Sequence, residues 1–360
     1  MCLLMSRPRD NLIGRKLGDW RITVKVIKAP DQSGGNFSSG YEAVNEVSGQ
    51  IGFVKAMDLH DAAPRAKTKK TSVLDEAYHL LSDYRFERDL LIDCRNKKLS
   101  RIVVALEHDE IQLDANEPLM STVGYFLFDK ADGDVRKQVS QMGFSATWNL
   151  FALKEVAIGL LQLHNTGVVH QDLKPSNVLI FGGSNTKIAD LGCAHIEAFD
   201  KSPRGKFSVP GDRTYAPIEL LYEHVGATWE RHLQTDLYLL GNFATFLFSG
   251  ASITALIEDY LEDEYHWDEF VGDYRDVLPE VSMAFASAIE LIKSDVPEEL
   301  KEEVCSLITQ LCHPDPEARG YIRGRYRTRT SRYALQPFVT KFSELAFRAG
   351  RGLLPTSIEQ

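Results

Sequence analysis

Two kinds of hydrophobic pattern follow one another along the chain. Apolar and polar residues alternate over residues 20–27, 41–44 and 51–57, which predicts strands, and residues 123–128 predict a buried strand. Helical patterns dominate later in the chain, and they include residues 150–163, 235–250 and 297–311. The sequence therefore predicts a strand-rich first part and a mainly helical second part.

One helix is predicted within the strand-rich part. Ser72 and Asp75 have the spacing of a capping box, which predicts a helix that begins at Ser72. Leu80 and Leu91 share one face of this helix, and Glu87 falls in the same apolar stripe. This stripe indicates that the helix packs against the predicted strands.

A carboxylate within an apolar stripe requires a cation beside it. Lys55, which lies among the apolar residues of the strand at 51–57, is the partner that we expect for Glu87. Glu76 is the alternative partner for Lys55. If neither residue has a functional role, the side chains of Lys55 and Glu87 are expected to lie separately in solvent.

The composition is ordinary for a globular protein, with 44% apolar and 26% charged residues. The formal net charge of -10 argues against a general electrostatic attraction to nucleic acid, because phosphate is also negative. A basic run with Arg323, Arg325, Arg327 and Arg329 leaves that contact possible, although a solvated surface segment is the favoured interpretation.

Five cysteines without paired spacing favour reduced thiols. The sequence shows no apolar run long enough to span a bilayer, and the apolar stretch at residues 1–5 is too short for a signal peptide. We therefore predict a cytoplasmic protein with no membrane contact.

The clearest candidate chemistry lies in residues 170–177, between the predicted helix at 150–163 and an apolar strand. Phosphoryl transfer requires a carboxylate that orients the attacking hydroxyl, a cation near the phosphate, and oxygen ligands for Mg²⁺. Asp172, Lys174 and Asn177 can fill these roles in that order.

A second carboxylate, Asp190, ends the next predicted strand. The two strands are joined by the turn at residues 182–185, whose glycines and asparagine predict a hairpin. This hairpin is expected to bring Asp190 beside Asn177, where both can ligate a metal ion.

Residues 163–177 resemble the catalytic loop of eukaryotic-type protein kinases, and Asp190-Leu191-Gly192 resembles the magnesium-binding motif of that family. The resemblance implies an α+β bilobal fold: a small lobe with a five-stranded antiparallel sheet and one main helix, and a larger, mostly helical lobe. The lysine in Asp172-Leu173-Lys174-Pro175 resembles the serine/threonine branch. The implied reactants are ATP with Mg²⁺ and a protein that carries a serine or threonine hydroxyl.

The resemblance also implies roles outside the catalytic loop. Lys55, held by Glu87, would contact the α and β phosphates, and Asn177 and Asp190 would hold Mg²⁺. Gly34, Gly35 and Ser38 resemble the phosphate-covering loop, with a plain hairpin turn as the alternative; Phe128 would guard the rear of the adenine pocket, and Asp129 begins the hinge.

Two later features also resemble the family. Glu219, near the end of the activation segment, is expected to form a buried ion pair with Arg319. Asp236 is expected to bind the backbone of the catalytic loop, although an acid near the start of a helix also suits the helix dipole.

The sequence departs from the family at two positions. Gln171 replaces an arginine that in many kinases binds a phosphate on the activation segment, and an amide cannot make that contact between charges. We therefore expect activity that does not require a phosphate on Ser202, Ser208 or Thr214. Asp212 replaces a common threonine, which predicts an unusual preference for substrate peptides.

The predicted limits, in chain order, are an N-terminal extension at 1–17, a small lobe at 18–129 with an insertion at about 58–72, a large lobe at 130–335, and a C-terminal helix and tail at 336–360. The expected function is that of an ATP-dependent serine/threonine protein kinase. The alternatives are a pseudokinase that acts as a scaffold and a small-molecule phosphotransferase of the aminoglycoside-kinase type.

Overall fold

The computed structural model describes residues 7–27, 38–142, 145–198, 209, 211–224, 226, 228–321 and 332–351. The chain forms two compact units, and the boundary between them lies between Asp132 and Gly133. The sequence placed this boundary after Asp129.

The first unit is built on a six-stranded antiparallel sheet. Its strands are β1 (Lys16–Leu17), β2 (Trp20–Val26), β3 (Ser39–Asn45), β4 (Ile51–Met57), β5 (Glu107–Gln112) and β6 (Thr122–Asp129). Their order across the sheet is β1-β2-β3-β4-β6-β5. The expected number of five strands is wrong, because the two residues of β1 are too few to produce an alternating pattern.

In the described part of this unit, the α-helices beside the sheet are α1 (Ala62–Lys69), α2 (Val73–Asn96) and α3 (Pro118–Ser121). The side chain of Ser72 accepts a hydrogen bond from the backbone N–H of Leu74 at 3.2 Å, which confirms the predicted start of α2. The predicted insertion at 58–72 forms a short turn and α1.

The segment before β2 is part of the first unit, contrary to the expected N-terminal extension at 1–17. Leu12 and Leu17 are buried in the core that covers one face of the sheet, together with Trp20 and Tyr41. The physical reason is that this face has apolar side chains from several strands, and the segment shields them from water. Residues 13–16 between them show no regular alternation, so the sequence did not reveal that Leu12 and Leu17 lie in one core.

Short sheets in the second unit position the loops. The strands are β7 (Gly133–Asp134), β8 (Val168–Val169), β9 (Val178–Phe181), β10 (Asn185–Ile188) and β11 (His195–Ile196). They form a sheet in the order β10-β9-β7 and a separate pair of β11 with β8. The pair of β11 with β8 holds the start of the activation segment against the strand that leads into the catalytic loop.

The other long elements in the described part of the second unit are helices. Its helices are α4 (Val135–Met142), α5 (Ala146–His164), α6 (Ile218–Leu221), α7 (Trp229–Ser249), α8 (Ile253–Tyr260), α9 (Tyr274–Asp295), α10 (Lys301–Leu311) and α11 (Gln336–Gly350). The helix α7 is central, since residues 234–248 are buried without interruption. Together with the antiparallel sheet of the first unit, these helices confirm the predicted α+β fold class.

No single helix in the described ranges is long and apolar enough to cross a membrane. The bent pair of α7 and α8, which meet at 80°, passes the same test together on length and composition alone.

Candidate active site

The predicted hairpin places Asp190 near the catalytic loop. β9 and β10 pair antiparallel, with Val178 opposite Ile188, and Gly182 and Gly183 adopt positive φ in the turn. The N–H of Ala189 then donates to the carbonyl of Asn177 at 2.8 Å. The residue that precedes Asp190 is therefore bonded directly to the other candidate metal ligand.

Asp172 is held by two residues of its own loop and by one residue from the end of the activation segment. Its Oδ2 accepts from Nδ2 of Asn177 at 3.1 Å, and its Oδ1 accepts from the N–H of Asp212 at 3.1 Å. Nζ of Lys174 lies 3.3 Å from the same Oδ1. The structure thus brings Asp172, Lys174 and Asn177 together as predicted.

The end of the activation segment closes over this carboxylate. Gly211 has φ +75, and a Cβ at this position would lie 2.5 Å from Oδ1 of Asp172, so only glycine fits there. The next residue, Asp212, also faces Lys174, with 3.5 Å between Oδ2 and Nζ. Lys174 therefore lies between two carboxylates.

The electrostatic environment of Asp172 favours proton uptake. Burial raises the pKa of its carboxyl above the ordinary value, the charge of Asp190 raises it further, and Lys174 opposes both effects. A carboxylate with these neighbours is a stronger proton acceptor than one in water. This property suits a group that takes the proton of an attacking hydroxyl.

Asp236 on α7 holds the backbone that leads to Asp172. Its Oδ2 accepts from the N–H of His170 and from Nε2 of His164, both at 2.8 Å, and its Oδ1 accepts from the N–H of Gln171 at 2.8 Å. Burial would raise the pKa of Asp236, but the hydrogen bond from His164 and the other donors hold it below the ordinary value. The expected contact of Asp236 with the catalytic loop is present.

Gln171 is bonded to α7. Its Nε2 donates to the carbonyl of His232 at 2.9 Å and to Oδ1 of Asp236 at 3.0 Å. Its Oε1 lies 2.9 Å from Nδ1 of His232. The amide therefore occupies the position of the family arginine without facing outward, since Gln171 is only 2% exposed.

The first unit contains the predicted lysine and glutamate pair. Nζ of Lys55 lies 2.7 Å from Oε1 of Glu87, and both side chains are largely shielded from water. The alternative partner, Glu76, instead accepts from Nζ of Lys69 at 3.0 Å and from the hydroxyl of Thr71 at 3.0 Å. The structure therefore selects Glu87 as the partner of Lys55.

The predicted nucleotide-binding residues of the first unit lie in several places. Phe128 is on β6 and is opposite Phe53, two positions from Lys55, so Phe128 and Lys55 share one face of the sheet. Asp129 is exposed, and its Oδ1 accepts from the amide of Gln50 at 2.8 Å. Ser38 immediately precedes β3.

Several predictions fall outside the described residues. These are the assignments of Gly34 and Gly35 to the phosphate-covering loop, of Ser202 and Ser208 to possible phosphorylation, and of Arg323, Arg325, Arg327 and Arg329 to a basic contact surface. Thr214 is described and is exposed.

The predicted pair of Glu219 and Arg319 is fully buried. Both guanidinium NH groups donate to the carboxylate, each at 2.8 Å, and the two side chains are 2% and 0% exposed. The contact is bidentate, which is the strongest geometry for this pair. It joins the end of the activation segment to the turn after α10.

The donor atoms around Asn177 fit a magnesium site of the kind used in phosphoryl transfer. Nδ2 of Asn177 faces the backbone carbonyl of Asp172 at 2.8 Å, which leaves its Oδ1 as the atom suited to a metal. Within the described ranges there is no cluster of three or more His, Cys, Asp or Glu side chains that could enclose an ion. An oxygen from Asn177 and a carboxylate from Asp190 suit Mg²⁺, which takes few protein ligands beside phosphates and water.

Sequence reasoning missed the histidines that support the loop. Nε2 of His170 lies 3.1 Å from the carbonyl of Ala189, and its Nδ1 accepts from the N–H of Asp172 at 3.2 Å. His232 lies four positions before Asp236 on α7, so the two face the same side of that helix. That spacing, together with the unusual Gln171, was the available signal.

The comparison with known families agrees with this geometry. A family model described as the protein kinase domain matches residues 33–324, which is most of the chain. The chain belongs to the protein kinase family. The catalytic loop, the hairpin with Asp190 and the pair of Lys55 with Glu87 all lie within the matched residues.

The relatives of this kinase align with different fractions of its chain. Myotonin-protein kinase from Homo sapiens is 24% identical over 299 residues, which are 82% of this chain and 41% of that protein. Cell division control protein 2 homolog 3 from Trypanosoma brucei brucei is 26% identical over 165 residues, 44% of each chain. 3-phosphoinositide-dependent protein kinase 1 from Mus musculus is 28% identical over 155 residues, 41% of this chain and 27% of that protein. The matches span less than half the length of each relative.

Proposed function

We propose that this kinase transfers the γ-phosphoryl group of ATP to serine or threonine hydroxyls of a protein substrate, with Mg²⁺. The observation that carries the proposal is the arrangement around Asp172, whose carboxylate is buried, fixed by Asn177 and Asp212, and adjacent to Lys174. A buried carboxylate and a buried lysine in fixed positions suit a transfer reaction better than they suit a passive scaffold.

The chemical step divides between two side chains. The acceptor oxygen forms a bond to the γ-phosphorus as the bond to the β-phosphate oxygen breaks, and ADP leaves. Asp172 orients the hydroxyl and takes its proton, while Lys174 stabilises the charge on the moving phosphoryl group. The raised pKa of Asp172 makes this carboxylate an effective proton acceptor.

Two oxygen ligands are available for magnesium. Asn177 and Asp190 would hold the ion, which when bound neutralises charge on the phosphate oxygens. The bonds from Asn177 to Asp172 and from Ala189 to Asn177 fix this part of the loop before any ligand binds.

Lys55 is proposed to bind the α and β phosphates. Glu87 holds its ammonium group at 2.7 Å, so the lysine does not have to be ordered when the nucleotide arrives. Phe128 and Asp129 are proposed to contact the adenine as residues at the rear of the pocket and in the hinge.

The preference for serine or threonine is supported by Lys174, which resembles the serine/threonine branch. The test is transfer from labelled ATP to a generic basic protein, to a tyrosine-containing polymer and to an aminoglycoside, with Asp172→Asn as the control. We expect phosphoserine or phosphothreonine that is absent in the control. Label on the aminoglycoside alone would instead support a small-molecule phosphotransferase.

We further propose that activity does not require phosphorylation of the activation segment. The support is Gln171, whose amide is already bonded to His232 and Asp236 and has no charge to attract a phosphate. Replacing Ser202, Ser208 and Thr214 together with alanine should leave the transfer rate unchanged. Loss of transfer in a folded triple variant would contradict the proposal.

The cytoplasmic location remains a prediction from the sequence. It is supported by the odd number of cysteines and the lack of paired spacing among them, which favour reduced thiols in a reducing compartment. Microscopy of the tagged full chain tests it, and a signal confined to another compartment would contradict it.

A further inference from the structure

Gln171 has a strained backbone next to the catalytic carboxylate. Its φ is 65, in the left-handed region that is unfavourable for a residue with a side chain. The strain sets the direction in which the chain enters Asp172. The contacts that hold Gln171 therefore also determine where the Asp172 carboxylate lies.

The hydrogen bonds of Gln171 fix both the direction of its amide and the tautomer of His232. The Nε2 group must face the carbonyl of His232 and Oδ1 of Asp236, because both of these atoms only accept hydrogen bonds. Oε1 of Gln171 therefore faces Nδ1 of His232 at 2.9 Å. An oxygen acceptor at this distance requires a proton on Nδ1, so His232 is the donor.

The ring of His232 also contacts the start of the activation segment. It stacks on the ring of His195 with 4.1 Å between centroids and 23° between planes. His195 is on β11, which pairs with β8 directly before the catalytic loop. His232 thus contacts both the loop, through Gln171, and the segment, through His195.

We infer that His232 is a positioning residue that holds Asp172 in its active geometry through a hydrogen bond from Nδ1 to Gln171. This contact takes the place of the link between a phosphate and the family arginine, and it is made by neutral groups within α7 and the loop. The inference rests on the proposed transfer reaction and names the contact that makes phosphorylation of the segment unnecessary. His232 does not contact the reacting atoms and acts only through Gln171.

Two variants of His232 distinguish the contribution of its hydrogen bond from that of its ring stacking. His232→Phe keeps a ring for the stack on His195 but removes the donor, whereas His232→Asn places an amide N–H near the position of Nδ1 without the ring. We expect kcat to fall about tenfold in His232→Phe, with KM for ATP changed by less than about twofold. His232→Asn should retain most of the wild-type kcat.

A matched control makes the same exchange elsewhere in the second unit. His224 lies before α7 and is bonded to Arg231. His224→Phe should leave kcat unchanged. Wild-type kcat in His232→Phe, or an equal loss in the Asn and Phe variants, would overturn the role of the Nδ1 donor.

A second measurement does not depend on the folding of a variant. In the wild-type protein labelled with ¹⁵N-histidine, His232 should show a protonated Nδ1 and an unprotonated Nε2 at neutral pH. The opposite tautomer would overturn the inference.

The two proposals fail in different ways. If wild-type protein transfers phosphate but His232→Phe is equally fast, only the positioning role fails. If wild-type protein transfers no phosphate to any acceptor, the proposed function fails, and the tautomer measurement alone decides whether His232 donates to Gln171.

Discussion

Glu76 and Glu87 on α2 each pair with a lysine, but only the pair of Glu87 belongs to the proposed nucleotide site. Glu87 holds Lys55 on β4, while Glu76 pairs with Lys69 near the start of the helix. Glu87→Gln should lower kcat/KM for ATP by about tenfold or more, because an amide holds the lysine less tightly. Steady-state kinetics measure the effect.

Glu76→Gln is the matched control for this prediction. It makes the same exchange on the same helix and should leave kcat/KM for ATP within about twofold of wild type. Equal losses in both variants would indicate that α2 contributes only through its stability.

The pKa of His232 also leads to a prediction of how the free energy of unfolding depends on pH. Burial, and to a lesser extent His195, lower its pKa to about 4, while Asp236 opposes them. A histidine in the unfolded chain takes up a proton at about pH 6.5. Between these values the unfolded state binds more protons, so the free energy of unfolding decreases as pH falls from about 6.5 towards 4.

The measurement is chemical denaturation across this pH range in wild type and in His232→Asn. The variant lacks the titrating ring and should lose this part of the pH dependence. Parallel curves for the two proteins would contradict the assignment of a lowered pKa to His232.

At the scale of elements, the segment before β2 is tied to the turn that follows β4. The guanidinium group of Arg9 is buried and donates to Asp61, and the N–H of Arg9 donates to Asp58 at 3.0 Å. Arg7 reaches the same Asp61 at 2.7 Å, but its side chain is 41% exposed. The side chain of Arg9 is therefore buried, whereas that of Arg7 is partly exposed.

The two arginines allow a matched test. Arg9→Met should lower the free energy of unfolding by about 3 kcal/mol, because it removes the buried guanidinium group and leaves Asp61 only the partly exposed Arg7 as a cation. Arg7→Met should cost about 1 kcal/mol or less, since the Arg7 side chain is partly exposed and Asp61 keeps Arg9. Equal costs, measured by denaturation, would contradict a structural role for the segment.

Most elements near the site could be predicted from local patterns. The capping box at Ser72 and the turn glycines before Asn185 specify the start of α2 and the hairpin through interactions between near neighbours. The packing of residues 7–17 could not be predicted, because Leu12 and Leu17 are buried by a sheet face whose strands lie mostly far away in the sequence. The same holds for His232, whose partner Gln171 is far away in the chain.

At the scale of the whole molecule, each unit is stabilised by contacts between residues distant in sequence. Glu219 and Arg319 are the clearest case in the second unit. Arg319→Met should lower the free energy of unfolding by about 3 to 5 kcal/mol, because Glu219 is left buried without its cation.

The exposed pair of Arg348 and Glu303 is the control for Arg319. Its atoms are also close, at 2.7 Å, but both side chains are about a third exposed. Arg348→Met should cost about 1 kcal/mol or less. A cost similar to that of Arg319→Met would indicate that burial does not decide the contribution of these pairs.

The measurement that tests the central claim most directly is the rate of phosphoryl transfer by phosphatase-treated protein at saturating magnesium and ATP, with Asp172→Asn beside it. We predict transfer by wild type at the same rate before and after phosphatase treatment, and none by Asp172→Asn. Binding of ATP without transfer in both proteins would contradict the account and indicate a scaffold.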